Sequence, residues 1–369
     1  MTPASAAPSP PAPASTPAHD ALAAVLARPD LLGCAVQPLV DLERAVVAGY
    51  EVLARPAPHL GVGPAPVFAA AAEDDGALVD LHVVALAAAR PLLADLPPDT
   101  FLTVNVDARA LASPRVLAEL LAWGDLGGLV VEVLEERWPD DHGLVLTSLD
   151  ALRAAGALVA LDDVGAAWAG LSRVLEVRPS FVKLDRHLVS RLGRDPAVEA
   201  AVRAVGDMAD TLDAWVCLEG VETREQLAAA VRLGVPLAQG YLLGRPAAAW
   251  PEPDLGLVRE LGREAGSGAA LAVLVRTPAP GDLEVDDRGR PLAVRAPLPD
   301  GRSWRHPVTT LCLRTDPGEA LARAMARPVP DRFAPLVVTA ADGRALGLVP
   351  VDVLATAVAT ARAGGPGAR

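Results

Sequence analysis

Six apolar runs of strand length recur between residues 101 and 239, and amphipathic helical stretches fill the gaps between them. The runs are Phe101–Val106, Leu129–Leu134, Ala157–Leu161, Phe181–Leu184, Trp215–Leu218 and Leu237–Gln239. The helical stretches include Arg115–Trp123, Gly143–Ala154, Ala197–Leu212 and Arg224–Leu233. Strand–helix units at this spacing predict a parallel sheet covered by helices. Their number and span favour a closed (β/α) barrel over an open sheet. Upstream, Gly33–Leu39 and Val46–Leu53 flank the polar turn Asp41–Arg44 and read as a hairpin. The expected fold is therefore α/β: a (β/α)8 TIM-like barrel with one antiparallel strand, plus a small C-terminal α/β domain.

The length of 369 residues suits one large and one small domain. Residues 1–18 are rich in Pro, Ala and Ser and read as a disordered tail. The barrel is assigned to 19–260, a linker to 261–270, the small domain to 271–363, and a loose tail to 364–369. Pro56–Pro66 reads as a loop, followed by two helical patterns with Gly76 between them. No apolar run reaches membrane-spanning length without a charge or a proline. The three cysteines are widely spaced and read as buried apolar residues, which points to a reducing, cytoplasmic location. A net charge of −13 argues against long nucleic acid as a partner.

Each strand run closes on a different polar residue: Glu51, Asn105, Glu132, Asp162 with Asp163, Lys183, Glu219 and Gln239. In a barrel these ends converge on one mouth, the face where such folds carry chemistry. A satisfied strand end explains any one of them. It does not explain all of them together, because burying that much negative charge without a cation is costly. Carboxylates and amides with one lysine suit Mg²⁺ or Mn²⁺ rather than zinc. Two such ions about 3.5–4 Å apart are the usual arrangement for displacement at phosphorus.

In order along the chain stand Gln37-Pro38-Leu39-Val40-Asp41-Leu42, Gly49-Tyr50-Glu51-Val52-Leu53-Ala54-Arg55, Val104-Asn105-Val106 and Glu132-Val133-Leu134-Glu135. They are followed by Leu161-Asp162-Asp163-Val164-Gly165, Lys183-Leu184-Asp185, Glu219-Gly220-Val221-Glu222-Thr223 and Gln239-Gly240-Tyr241-Leu242-Leu243-Gly244-Arg245-Pro246. This series resembles the EAL domain, the family of cyclic di-GMP phosphodiesterases, over roughly residues 30–250. The resemblance implies a two-metal site that hydrolyses cyclic di-GMP to linear pGpG. It implies metal ligands at Glu51, Asn105, Glu132, Asp162, Asp163 and Glu219, and catalytic roles for Lys183, Glu219 and Asp163. It also implies substrate contacts from Gln37, Arg55 and Gln239, loop support from Glu135 and Glu222, and a homodimer through the barrel.

The chain departs from the family after Asp163. Where the family has Phe-Gly-Thr-Gly-Tyr-Ser-Ser-Leu, this chain has Val164-Gly165-Ala166-Ala167-Trp168-Ala169-Gly170-Leu171. Hydroxyls are missing at 166 and 169, while every metal ligand is kept. The alternative reading is therefore a receptor that binds cyclic di-GMP and turns it over slowly or not at all. The region from Thr315 to Leu354 resembles a single CBS motif, which makes a nucleotide a candidate partner there.

Overall fold

The computed structural model describes residues 16–134, 138–139, 142–164, 169–265, 271–297 and 303–363. Helix α1 (Pro17–Ala27) leads into the hairpin of β1 (Leu32–Asp41) and β2 (Val46–Pro56). Helices α2 (Pro64–Ala71) and α3 (Asp75–Ala94) follow, then β3 (Phe101–Val106), α4 (Ala108–Leu111) and α5 (Pro114–Leu121). The alternation continues through β4 (Leu129–Leu134), α6 (Gly143–Ala154), β5 (Leu158–Val164), α7 (Ala169–Val177), β6 (Phe181–Leu184) and α8 (Arg186–Val189). Helix α9 (Pro196–Thr211), β7 (Trp215–Leu218), α10 (Arg224–Leu233), β8 (Leu237–Ala238) and α11 (Gly256–Glu264) complete it.

Strands β1 to β8 close into a barrel in sequence order. Strand β1 is antiparallel to both of its neighbours, pairing Gln37 with Glu51 of β2 and Val40 with Ala238 of β8. The other neighbours are parallel, as the strand–helix alternation predicts. Three local expectations differ. Pro64 starts α2 inside the stretch read as a loop, because proline fits the first helical turn, where its missing N–H costs nothing. Gly76 lies within α3 rather than before it, because the Asp74 side chain accepts from the Ala77 N–H and starts the helix at Asp75. Helix α11 runs to Glu264, into the stretch read as a linker.

Among the described residues only α3 is long and apolar enough to cross a membrane. It packs on the barrel instead, with Leu78, Leu81, Leu86 and Ala89 buried against the strands and neighbouring helices.

The C-terminal region forms two small sheets. Strands β9 (Leu283–Val285), β10 (Pro291–Pro297) and β11 (Ser303–His306) are antiparallel. Strand β12 (Thr310–Leu311) runs parallel to β13 (Leu336–Thr339), which pairs antiparallel with β14 (Ala345–Val349). Helices α12 (Pro317–Ala326) and α13 (Val351–Ala363) pack against each other and share an apolar cluster with β13 and β14.

The barrel interior is layered. Its lower layer is an apolar cluster of Leu39, Ala48, Phe101, Val130, Ala160, Phe181, Cys217 and Leu237. Two residues further along the parallel strands, on the same face, stand Thr103, Glu132, Asp162, Lys183, Glu219 and Gln239. The period of two thus sets the charged layer directly on the apolar one. Phe101 fits only because Gly49 has no side chain: a Cβ there would lie 2.5 Å from the Phe101 ring and 2.7 Å from its carbonyl oxygen. Gly49→Ala should therefore destabilise the protein by about 1–3 kcal/mol, the usual cost of overpacking. Urea denaturation at neutral pH measures it, and an unchanged midpoint would show that the ring can yield.

Candidate active site

The upper interior layer centres on Lys183, which is 1% exposed. Its Nζ lies 2.8 Å from Glu132 Oε2, 3.5 Å from Glu51 Oε2 and 3.8 Å from Asp162 Oδ1, and it also pairs with Glu219 Oε1. Each acid comes from a different strand or strand end, so the barrel assembles the cluster from residues up to 168 positions apart, 219 − 51. Glu51 is held hardest. Asn105 donates to its Oε1 at 2.7 Å and Gln239 to its Oε2 at 2.6 Å. Gln239 Nε2 also donates to Gln37 Oε1 at 3.0 Å, and Gln37 in turn donates to the Gly244 carbonyl at 2.9 Å.

Four carboxylates share one ammonium, and the balance decides their protonation. Burial disfavours the charge on Lys183, but Asp162, Glu132, Glu219 and Glu51 together outweigh it and hold the ammonium well above its ordinary range. Burial likewise opposes ionisation of Glu51. The Lys183 charge and the hydrogen bonds from Gln239 and Asn105 prevail there, so its carboxyl stays below the usual range. Glu132 receives less help: burial and the neighbouring acids push it up to about 8. Burial drives Glu219 well above the usual range. The cluster thus relieves its surplus negative charge by holding protons. Glu132 Oε1 and Gln239 Oε1 are buried without a hydrogen-bond partner.

These hard oxygen donors, protonated for lack of positive charge and partly orphaned, suit a divalent cation. In the present arrangement they converge on Lys183, and among the described residues no three acidic or imidazole groups converge on a point a metal could take. Strand β5 carries an extra residue between Leu161 and Val164 relative to β6, a bulge at its two aspartates. Asp162 lies in the cluster. The side chain of Asp163, Glu135 and loop residues 165–168 lie outside the described residues.

Two cavities flank the cluster. One of about 220 Å³ opens at the mouth between Gln37, Glu51, Glu219 and Gln239 on one side and Arg186, Glu222 and Tyr241 on the other. Glu222 lines this cavity, and its backbone N–H donates to Gln226 Oε1 within the capping box that starts α10. The other cavity, about 460 Å³ and mostly apolar, lies between α2, α3 and strands β2 and β3, with Arg55 and Asn105 among its lining. Arg55 donates to the Ala54 carbonyl at 2.9 Å. His82 also lines it. Its Nε2 accepts from the Asp107 N–H, its Nδ1 has no partner, and burial lowers its pKa to about 4.

The structure therefore brings Gln37, Glu51, Asn105, Glu132, Asp162, Lys183, Glu219 and Gln239 together and sets Arg55 at the rim of the apolar cavity. Sequence reading missed Arg186, Tyr241 and His82. Arg186 had one usable signal, its place directly after the strand that carries Lys183. His82 had none, since a histidine in a helical pattern reads as ordinary packing.

The EAL domain family matches residues 24–246. The chain is 36% identical over 221 residues to cyclic di-GMP phosphodiesterase RocR of Pseudomonas aeruginosa, covering 57% of this chain and 56% of that protein. It is 31% identical over 220 residues to the probable cyclic di-GMP phosphodiesterase PdeG of Escherichia coli, covering 57% of this chain and 43% of that one. The chain thus spans about half the length of these curated relatives. Among solved structures it is similar to Klebsiella pneumoniae BlrP1 in a calcium and cyclic di-GMP complex, with TM-score 0.54 and 29% identity over 61% of this chain and 58% of that one. It is also similar to Bacillus subtilis YkuI with cyclic di-GMP and calcium, with TM-score 0.56 and 25% identity over 66% and 61%. None of these findings supports the CBS resemblance of the C-terminal region.

Lys183→Met should leave four buried acids without their cation. Removing one partner of a buried pair typically costs about 3–5 kcal/mol. The carboxyls then have raised folded-state pKa values, so the folded state binds more protons than the unfolded one, and stability is recovered as pH falls. Denaturation of this variant at pH 8 and pH 5 should show the larger deficit at pH 8. An equal deficit at both would mean that the acids do not depend on the ammonium.

Proposed function

The chain belongs to the EAL domain family, and from that premise we propose that it is a Mg²⁺- or Mn²⁺-dependent phosphodiesterase that opens cyclic di-GMP to linear pGpG. The observation that carries this reading is the set of four buried acids around Lys183, more than one ammonium can keep ionised. Glu51, Asn105, Glu132, Asp162, Asp163 and Glu219 would hold the two metal ions. Bound there, the ions supply Lewis acidity at phosphorus and a nucleophilic water at neutral pH.

The chain's own groups do the rest. Lys183, whose acidic neighbours favour its charged form, would offset the negative charge that builds on the phosphoryl oxygens. Arg55 presents a guanidinium to a substrate phosphate. Gln239 and Gln37, chained to the Gly244 carbonyl, fix one wall of the mouth cavity. The cavities beside the cluster offer one base of the dinucleotide to each flank, the larger being within the usual ligand-pocket range of roughly 300–1,000 Å³. A homodimer through the barrel is part of the same proposal. Leu144 of α6 and Leu175 of α7 support it, as exposed apolar side chains on the outer helices of the barrel. The absence of hydroxyls at Ala166 and Ala169 favours the second reading, a receptor that binds the ligand without fast turnover.

Purified protein with cyclic di-GMP and Mg²⁺ or Mn²⁺ should yield pGpG by chromatography, and Glu51→Ala should abolish it. A wild type that binds the ligand by calorimetry and releases no linear product is the receptor instead. Lys183→Arg should fold, lose turnover severely and alter ligand affinity in Ca²⁺ much less, because a planar fork does not fit where a point charge sits. Near-wild-type hydrolysis by that variant would make Lys183 a structural cation only.

Metal binding must expel the proton that Glu132 holds up to about pH 8. Mn²⁺ affinity should therefore rise from pH 6 to pH 9, with proton release seen by calorimetry in buffers of different ionisation enthalpy. A flat profile would remove Glu132 from the ligand set.

A further inference from the structure

The C-terminal region is seated under the barrel. Ala341, in the turn between β13 and β14, is 5% exposed and belongs to the same apolar cluster as Phe101 and Phe181. Within that cluster it alone comes from outside the barrel, and it covers the side opposite the mouth. Arginines of the same region reach the loops that feed the strands from below. Arg314 pairs with Glu43 of the β1–β2 turn at 3.4 Å, with both side chains largely buried. Arg288 bonds Asp125 at 3.1 Å before β4, and Arg290 donates to the Gly156 carbonyl at 3.2 Å before β5. Arg344 pairs with Asp99 before β3, and Arg323 with Asp213 before β7. Five strand entries are thus held from one module.

We propose that the C-terminal region is the working floor of the active-site barrel, a positioning element that keeps the charged layer ordered by fixing the apolar layer beneath it. The coupling is steric and dielectric. The Phe101 and Phe181 ring centroids lie 5.2 Å apart, and Phe101 fills the notch left by Gly49. Glu51 stands two residues beyond Gly49, and Lys183 two beyond Phe181. A close-packed interior cannot shift one layer without the next. An open floor would also admit water beneath Lys183 and weaken the pairs that hold it. Exposed ion pairs contribute little singly, so Ala341 and the buried Arg314–Glu43 pair carry the seat, and the other arginines set its orientation. The inference rests on packing and stands whether or not the barrel hydrolyses cyclic di-GMP.

The test uses the full chain without substrate. Arg314→Glu with Arg344→Glu sets like charges against Glu43 and Asp99 and should lift the module. Ala341→Gln drives a larger polar group into the floor without needing it to lift. Amide hydrogen exchange should become at least tenfold faster at Phe101–Val106 and Phe181–Leu184 in both, and Mn²⁺ affinity should fall several-fold. The exchange of Glu43→Arg with Arg314→Glu in one chain restores opposite charges and should restore wild-type protection.

Three results would overturn the proposal. One is a lifted module, seen as fast exchange at Ala340–Ala345, with β3 and β6 still protected. Another is a folded Ala341→Gln protein with unchanged protection and Mn²⁺ affinity. The third is a charge-lifting variant whose turn stays as protected as in the wild type, because the ion pairs would then not hold the seat.

Discussion

The pairing of one buried ammonium with four buried carboxylates is the constraint around which this barrel is built. Lys183 cannot be exposed to solvent or removed without leaving Glu51, Glu132, Asp162 and Glu219 to repel each other in a poorly polarisable interior. Glu51 meets this by taking every available donor: the ammonium and two amide groups. Glu132 and Glu219, with fewer donors, keep their protons. The site is therefore a reservoir of hard oxygen ligands held in check by one side chain. A cation of higher charge can compete for those ligands.

That arrangement depends on the layer beneath it. Strand alternation sets an apolar residue two positions before each charged one, so a disturbance below is a disturbance of the site. Phe101 and Phe181 are large for a layer otherwise filled by Ala, Val, Leu and Cys217, and the room for one of them is made by a missing side chain at Gly49. The floor is finished by Ala341, from a part of the chain outside the matched family domain. Fold and function here share one packing problem. The residues that close the barrel bottom also define the shape on which the charged side chains rest.

The strands were legible because each is a short apolar run bounded by turn residues, and Phe101–Val106, Leu129–Leu134, Phe181–Leu184 and Trp215–Leu218 stand where the pattern sets them. The hairpin was legible from its polar turn, and with it the single antiparallel strand. Helix starts were less so. At Pro64 and Asp74 a local capping preference outweighed the loop-like composition around it. Strands β9 to β12 left no clear trace, since Pro291, Pro297 and several charged residues interrupt any alternation. Their pairing is set by neighbouring strands rather than by their own sequence.

The identities and order of the polar residues at the strand ends are properties of the sequence alone, and they sufficed to bring Glu51, Glu132, Asp162, Lys183 and Glu219 into one candidate site. Which of them touch, which keep a proton, and which stand free were decided by the tertiary structure, because distance and burial arise only when eight strands close. The sequence offered Lys183 as one polar strand-end residue among several at a mouth. The fold makes it the buried centre of four carboxyl groups. No pattern in residues 271–363 announces that five arginines will meet five loops 110 to 271 positions away in the chain, 323 − 213 for the nearest and 314 − 43 for the farthest. Such contacts depend on where a closed barrel presents its underside, and a one-dimensional chain carries that information only through the three-dimensional surface it folds into.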